Sequence, residues 1–98
     1  LKQLLADARV ATSLARYDEA DGLFRQALAL QTQLFSDNDV TAADILMDLA
    51  LNVSNLGRAD EATALFRRAA PFMEKSPREE DRARLSIYRG YEAANRGN

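Results

Sequence analysis

The residue types that usually perform catalysis are scarce in this chain. Its 98 residues include neither histidine nor cysteine, so the commonest proton shuttle near neutral pH, the commonest metal ligand and every thiolate are missing. Asp, Glu, Lys, Tyr and Ser remain for acid–base or nucleophilic work, but no glycine-rich phosphate loop or serine–base pair accompanies them. The sequence therefore predicts a protein that is not an enzyme, with no catalytic residue, metal site or cofactor.

One acidic stretch imitates the start of a calcium-binding loop. Asp37, Asp39 and Thr41 have the spacing of the first three ligands of such a loop. The glycine required at the sixth position is Ala42, and the bidentate glutamate required at the twelfth is Asp48. Capping of a following helix explains the first two aspartates better than calcium binding does.

The overall charge and hydropathy exclude two further classes of partner. A net charge of −2 disfavours binding to a phosphate backbone, so nucleic acid is not an expected partner. No run approaches the roughly 18 apolar residues that a membrane-spanning helix needs, so we expect no membrane insertion and a cytoplasmic location. The chain begins with Leu1-Lys2-Gln3, without an initiator methionine or a signal peptide, which indicates a part of a longer protein.

An internal duplication organises the chain. Several residues recur 42 positions later: Leu4, Ala8, Leu14, Arg16, Asp18, Glu19, Ala20, Leu23, Phe24, Arg25 and Ala27 match Leu46, Ala50, Leu56, Arg58, Asp60, Glu61, Ala62, Leu65, Phe66, Arg67 and Ala69. Apolar residues inside each copy are spaced by three and four, which is the period of an amphipathic helix. In the second copy they are Leu46, Leu49, Ala50 and Val53.

We therefore predict an all-α fold in which antiparallel helix pairs repeat along the chain. Five helices are expected at about 1–15, 18–34, 38–56, 60–75 and 78–96. Residues 1–98 are expected to form a single domain, or a fragment of one, with about two and a half repeats. The first repeat is expected at about 1–34, the second at about 43–76, and a helix of a third repeat or a capping helix at about 78–96.

Helix boundaries are indicated by turn and capping residues. Gly57 is expected to end the third helix, and Asp60 is expected to cap the fourth. The polar run 36–39 separates the second and third helices, and Pro77 allows the fifth to begin. Pro71 is expected to kink or shorten the fourth helix, because it frees a backbone carbonyl one turn earlier.

The small and aromatic residues at matching places in the two copies resemble those of the tetratricopeptide repeat (TPR) family. The positions that carry the resemblance are Ala8, Ala50 and Gly90 in the first helix, Ala15, Gly57 and Gly97 in the turn, Tyr17 after it, and Ala20, Phe24, Ala27, Ala62, Phe66 and Ala69 in the second helix. Ala59 departs from the aromatic residue that the family has at the position of Tyr17. The resemblance implies stacked helix pairs with a concave, peptide-binding face.

The length of the repeat makes the chain similar to one particular type of TPR. The common TPR period is about 34 residues, whereas the offset here is 42. The longer period is similar to the kinesin-light-chain type of TPR, which also occurs in bacterial proteins whose repeats precede a caspase-like (CHAT) domain, so a bacterial source is implied. That type favours paired asparagines on the concave side of the first helix, where this chain has Met47 and Asp48.

A helical wheel separates the core side of each first helix from a side that would line the groove in TPR-like packing. The resulting candidate groove residues are Lys2, Leu5, Arg9, Asp44, Met47, Asp48, Leu51, Asn55, Arg84, Ile87, Tyr88 and Tyr91. Six of them predict an apolar strip across three helices: Leu5, Met47, Leu51, Ile87, Tyr88 and Tyr91. The charged members would set the orientation of a ligand.

Two features of this groove stay open in the sequence. Leu5, Met47 and Leu51 fit equally well as packing residues between neighbouring helices. The fifth helix has an expected core side of Ser86, Arg89, Gly90 and Ala93, but its apolar side is Ile87, Tyr88, Tyr91 and Ala94, so it fits a rotated cap as well as a half repeat.

The function implied by the resemblance is protein binding. The leading hypothesis is a scaffold or adaptor module that holds a peptide or helix of a partner protein on the concave face. The alternative is a structural segment whose main contacts are weak self-association or further repeats of a longer protein. A clamp for a C-terminal carboxylate, known in some TPR domains, is disfavoured, because only Lys2 and Arg84 match it while Ala6, Asp48 and Tyr88 do not.

Overall fold

The computed structural model describes residues 1–35 and 40–97. These residues form α1 (Lys2–Ser13), α2 (Tyr17–Leu34), α3 (Val40–Asn55), α4 (Ala59–Glu74) and α5 (Glu79–Asn95). No strand occurs in the described ranges, so the predicted all-α class with five helices is confirmed. None of these helices combines the length and the apolar character needed to cross a bilayer.

The helices pack in chain order around one hydrophobic core. Helix α1 packs on α2, α2 on α3, and α3 on α4, while α5 lies against both α3 and α4. Phe24 of α2 and Phe66 of α4 are 1% and 5% exposed, so the duplicated aromatic residue fills the core in both repeats. The alanines that match between the two repeats, Ala8, Ala20, Ala50 and Ala62, are all completely buried, and their small side chains let the helix backbones approach closely.

The expected cap of α4 is wrong, and so is the expected shortening of this helix at Pro71. Asp60 does not cap this helix: Arg58 occupies the N-cap position without a side-chain cap bond, and Asp60 lies in the first turn, where its charge complements the helix dipole. Pro71 does not shorten the helix, which continues to Glu74. Pro71 is exposed, so its side of the helix faces water, which can hydrate the carbonyl that the proline leaves unpaired. The capping expected of Asp37 and Asp39 lies outside the described residues.

The first helix of each repeat ends in the same left-handed turn. Gly57 has φ +83° and Ala15, its equivalent in the first repeat, has φ +59°. The next residue then reaches back into the helix in both cases: the Arg58 amide donates to the Val53 carbonyl at 3.1 Å, and the Arg16 amide donates to the Ala11 carbonyl at 2.8 Å. Ala15 therefore adopts a conformation that glycine takes without steric cost.

Helix α5 is oriented differently from either expectation. Asp81 and Leu85 are its buried residues, and Arg84, Tyr88 and Glu92 are half-buried. The expected core side (Ser86, Arg89, Gly90 and Ala93) is exposed, and on the alternative side Ile87, Tyr91 and Ala94 are exposed too. The buried face of α5 lies between the two predicted faces, because α5 packs against both α3 and α4.

The buried carboxylate of Asp81 anchors the start of α5. It is 1% exposed and accepts hydrogen bonds from the Ser76 hydroxyl and from the Arg78 guanidinium, with Arg78 Nη2 at 2.8 Å from Oδ1. Arg82 donates to the Ser76 carbonyl and tightens the same turn. The hydrogen bonds from Arg78 and then from Ser76 lower the pKa of Asp81, because they stabilise its charged form.

The left-handed turn at Ala15 generates a stability prediction. Ala15→Gly is expected to raise the free energy of unfolding by about 0.5–1 kcal/mol, because the relief of about 1–2 kcal/mol of backbone strain exceeds the entropy that glycine adds to the unfolded chain. Gly57→Ala is the matched control and should destabilise the protein, because it introduces backbone strain at a positive φ. A Cβ at this position would meet nothing within 4 Å, so no steric clash adds to that strain. Urea unfolding measures both, and a loss of stability in Ala15→Gly would contradict the assigned turn.

The Asp81 anchor generates a prediction about pH. A carboxylate whose pKa is lowered by folding stabilises the protein above its unfolded pKa of about 4, and this contribution is lost as the pH falls through the lower folded pKa. Asp81→Asn should therefore cost about 1–3 kcal/mol near neutral pH, and the difference from wild type should shrink below about pH 4. Urea unfolding over a pH series checks this, and a difference that stays constant down to about pH 3 would refute it.

Candidate functional site

Side chains of α1, α3 and α5 meet on one face of the protein, which we call the groove face. Arg9 of α1 reaches Asp48 of α3, and Arg84 and Tyr88 of α5 reach the same aspartate from the other side. The partners from α3 and α5 are separated by 40 residues in both pairs: Asp44 with Arg84 and Asp48 with Tyr88. The first helices of the repeats therefore lie side by side along this face.

Asp48 is the centre of this network. Its Oδ2 atom accepts from Arg9 Nη2 at 3.1 Å and from Arg9 Nε at 3.3 Å. Its Oδ1 atom accepts from the Tyr88 hydroxyl at 2.9 Å and from Arg84 Nη2 at 3.3 Å. The Asp48 side chain is only 9% exposed, so its charge is held largely by these four donors.

Arg84 links this centre to a second carboxylate. Its Nη1 atom lies 2.7 Å from Asp44 Oδ1, and its guanidinium carbon stands 5.3 Å from the centre of the Tyr88 ring. Burial raises the pKa of Asp44, against the opposing charge of Arg84. Burial, together with the negative charge of Asp48, raises the pKa of Tyr88, so its hydroxyl stays protonated and donates at neutral pH.

Amide side chains extend the contacts between helices towards the end of α3. The Asn95 amide nitrogen donates to Asn55 Oδ1 at 2.7 Å and to the Ser54 hydroxyl at 3.1 Å, which joins α5 to α3. On the side of α3 that faces α1 and α2, the Thr12 hydroxyl of α1 lies 3.5 Å from Asn52 Oδ1. The Asn52 amide nitrogen donates to the Tyr17 carbonyl of α2 at 2.8 Å. Polar contacts therefore bridge neighbouring helices along much of the groove face.

A cavity of about 430 Å³ opens on the groove face beside Asp48. It is lined by Arg9, Thr12, Phe24, Asp48, Leu51, Arg84 and Tyr88. Its walls combine two guanidinium groups and a carboxylate with aliphatic and aromatic side chains. Such a mixed lining suits a ligand that has both apolar and hydrogen-bonding groups.

The structure brings together only part of the predicted groove. Arg9, Asp48, Leu51, Arg84 and Tyr88 share the cavity, whereas Asp44 and Asn55 do not line it and instead contact Arg84 and Asn95 of α5. Lys2 is exposed on α1, and Leu5 is half-buried and packed against the hydrophobic core.

The predicted apolar strip is wrong at Met47. This side chain is completely buried in the hydrophobic core, as the packing alternative expected. Met47 lies at the edge of the predicted groove side of α3. It faces neighbouring helices there, because α3 packs against α2, α4 and α5. Ile87 and Tyr91 are exposed by 51% and 55%, so the apolar part of the strip that is open to solvent lies on α5.

Sequence reasoning missed three residues of this site. Thr12 and Phe24 are not among the predicted groove residues, yet both line the cavity. Asn52 is completely buried and holds the start of α2 through Tyr17. A polar residue inside the apolar face of a helix was the available signal for Asn52, since such a residue needs a buried partner.

Comparison with known proteins identifies the family. A family model described as tetratricopeptide repeat matches residues 6–75, which is most of the chain and includes α2, α3, α4 and most of α1. Neither the curated proteins nor the solved structures give a match. The helical repeat, the duplicated core aromatic residues and the family match agree, and the chain belongs to the tetratricopeptide repeat family.

Proposed function

We propose that the groove face binds a peptide or helix of a partner protein, so that the chain acts as a scaffold or adaptor module. The observation that carries this proposal is the cavity beside Asp48, where side chains of α1, α3 and α5 converge around a mixed apolar and polar lining. Membership of the tetratricopeptide repeat family supports it, because these repeats usually mediate protein–protein interaction and are generally non-catalytic. A cytoplasmic location and a bacterial source stay predictions of the sequence.

The two edges of the groove differ in chemistry. The α1 edge carries the cations Lys2 and Arg9, and the Arg9 side chain is 56% exposed although it contacts Asp48. The α5 edge carries Ile87 and Tyr91, whose rings and methyl groups face solvent. A segment with an apolar side towards α5 and hydrogen-bond acceptors towards α1 complements both edges.

The floor of the groove contributes to binding through its shape more than through its net charge. The carboxylates of Asp44 and Asp48 are matched by Arg84 and Arg9, so the centre is close to neutral. The apolar edge on α5 then supplies most of the affinity, with tyrosine well suited to a contact that is both apolar and polar. Micromolar binding is expected for one such surface.

A test of this function uses peptides selected by phage display against the purified chain. Tyr91→Ala should weaken the selected peptides about tenfold or more, because an exposed aromatic anchor is lost, without moving the melting temperature. Val10→Ala is the matched control, since Val10 is exposed to a similar extent as Tyr91 (58% against 55%) but lies on α1, away from the apolar α5 edge. Isothermal titration calorimetry measures the affinity of the selected peptides for both variants. Peptides whose affinity is indifferent to Tyr91→Ala and to Arg9→Ala would place binding elsewhere and contradict the proposal.

A second candidate function is self-association through the first helix pair. Four large apolar side chains are exposed on α1 and at the end of α2: Val10, Leu14, Leu34 and Phe35, by 56–68%. Val10 and Leu14 lie one helical turn apart, and exposed apolar groups that are contiguous favour contact between protein surfaces.

Sedimentation over a concentration series tests this second candidate. If these side chains mediate weak dimers, the average mass should rise with concentration, and Val10→Glu with Leu14→Glu should abolish the rise while the circular dichroism spectrum stays helical. A mass that is independent of concentration in the wild-type chain would eliminate self-association and would leave peptide binding unaffected.

A further inference from the structure

Arg9 presents one edge of its guanidinium group to Asp48 and keeps another edge open. Its Nε and Nη2 atoms donate to Asp48 Oδ2 at 3.3 Å and 3.1 Å. These two nitrogens form the side of the planar group, so Nη1 and the outer hydrogen of Nη2, which form its end, take no part in this contact. Among residues 1–35 and 40–97, Asp48 is the only acceptor that Arg9 contacts. The end of the guanidinium is therefore available to a ligand.

The open end of Arg9 lies beside apolar surface. The Arg9 side chain is 56% exposed, and it lines the groove cavity of about 430 Å³ together with Leu51 and Tyr88. Its contact with Asp48 restricts the motion of the guanidinium before any ligand arrives, which lowers the entropic cost of a further hydrogen bond. A ligand group that reaches Arg9 would therefore meet a donor that is already oriented, with an aliphatic and an aromatic side chain nearby.

The charges of the groove face favour an anion over a cation. The candidate groove residues include three cations and two carboxylates, which leaves them at +1, whereas the whole chain has a net charge of −2. Arg84 lies between the two carboxylates, at 2.7 Å from Asp44 and 3.3 Å from Asp48. The excess positive charge therefore lies on the α1 side, where Lys2 is exposed two turns before Arg9.

A carboxylate matches the open end of Arg9 in shape as well as in charge. Its two oxygens can accept two parallel hydrogen bonds from Nη1 and Nη2 while Nε stays on Asp48. A C-terminal carboxylate is the poorer source, because Ala6, Asp48 and Tyr88 replace residues that a clamp for a chain end needs. An aspartate or glutamate side chain inside a segment needs only the fork that Arg9 offers.

We propose that the groove selects an acidic segment of its partner protein. The side-chain carboxylate of an internal aspartate or glutamate accepts from the end of Arg9, and an apolar side chain next to it packs on Leu51 and Tyr88 in the cavity. This proposal rests on the proposed peptide binding and names the residue type that the binding selects. Arg9 then sets specificity at the α1 edge, whereas Tyr91 supplies affinity at the α5 edge.

The test uses peptides selected by phage display, because a peptide fused at its end to the coat protein presents no C-terminal carboxylate. Each selected peptide is synthesised with both ends capped, once with its acidic residue and once with the matching amide, glutamine for glutamate or asparagine for aspartate. The acidic form should bind the wild-type chain about three- to tenfold more tightly, because the amide form loses a charge-assisted contact. Isothermal titration calorimetry measures both affinities.

Substitutions of Arg9 separate recognition by its fork from general charge attraction. Arg9→Gln should bind the acidic and the amide forms equally. Arg9→Lys should also lose most of the preference, because an ammonium group lacks the planar fork that serves Asp48 and the ligand together. Lys2→Gln is the matched control, since it removes the same charge from the same helix but lies outside the cavity lining, and it should keep the preference.

Several results would overturn the proposal. They are selected peptides without acidic residues, a preference for the acidic form that survives in Arg9→Gln, and an equal loss of preference in Lys2→Gln and Arg9→Gln. A preference that appears only when the peptide ends in a free carboxylate would overturn it as well. In each of these cases, weaker binding to Tyr91→Ala would show that the groove still binds peptides, so the proposed function and this inference can fail separately.

Discussion

Asp48 projects from the middle of α3 and accepts hydrogen bonds from the helices on both sides of it. Arg9 reaches it from α1, and Arg84 and Tyr88 reach it from α5. A carboxylate that is 9% exposed is costly to leave without donors, so the donors on the two outer helices have to stay in place around it. The spacing of the three helices that form the groove face depends on this requirement.

The donors do not contribute equally. The Arg9 side chain is 56% exposed, so water screens its attraction to Asp48. Arg84 is 30% exposed and the Tyr88 hydroxyl is half-buried, so their hydrogen bonds to Asp48 lie in a less polar environment and should be stronger. The link between α3 and α5 is consequently firmer than the link through Arg9, and α1 relies more on its packing against α2.

The sequence predicted the helices well because the duplication repeats their core residues. Ala20, Phe24 and Ala27 recur as Ala62, Phe66 and Ala69, and all six are buried. The orientation of α5 was not predictable in this way, because its buried side contains a charged residue, Asp81, and a single large apolar residue, Leu85. Hydrophobic periodicity cannot identify a face that is anchored by hydrogen bonds from Ser76 and Arg78.

The groove was predictable in its charged residues and less so in its apolar ones. Arg9, Asp48 and Arg84 lie on the helix sides that the wheel predicted for the groove, since charged side chains are disfavoured in the apolar core itself. Met47 was misplaced because a wheel treats a helix alone, whereas α3 is flanked on both sides by other helices. Phe24 shows the opposite case, since a core residue also forms the floor of the cavity.

A double-mutant cycle on Asp48 tests the central claim most directly. The cycle combines Asp48→Asn with Tyr88→Phe in one set and with Arg9→Ala in a second, and urea unfolding gives the free energy of each variant. The account predicts a coupling of about 1–2 kcal/mol between Asp48 and Tyr88, and of less than about 1 kcal/mol between Asp48 and the exposed Arg9. A coupling to Tyr88 that is zero within error, or one smaller than the coupling to Arg9, would show that Asp48 does not hold α5 against α3.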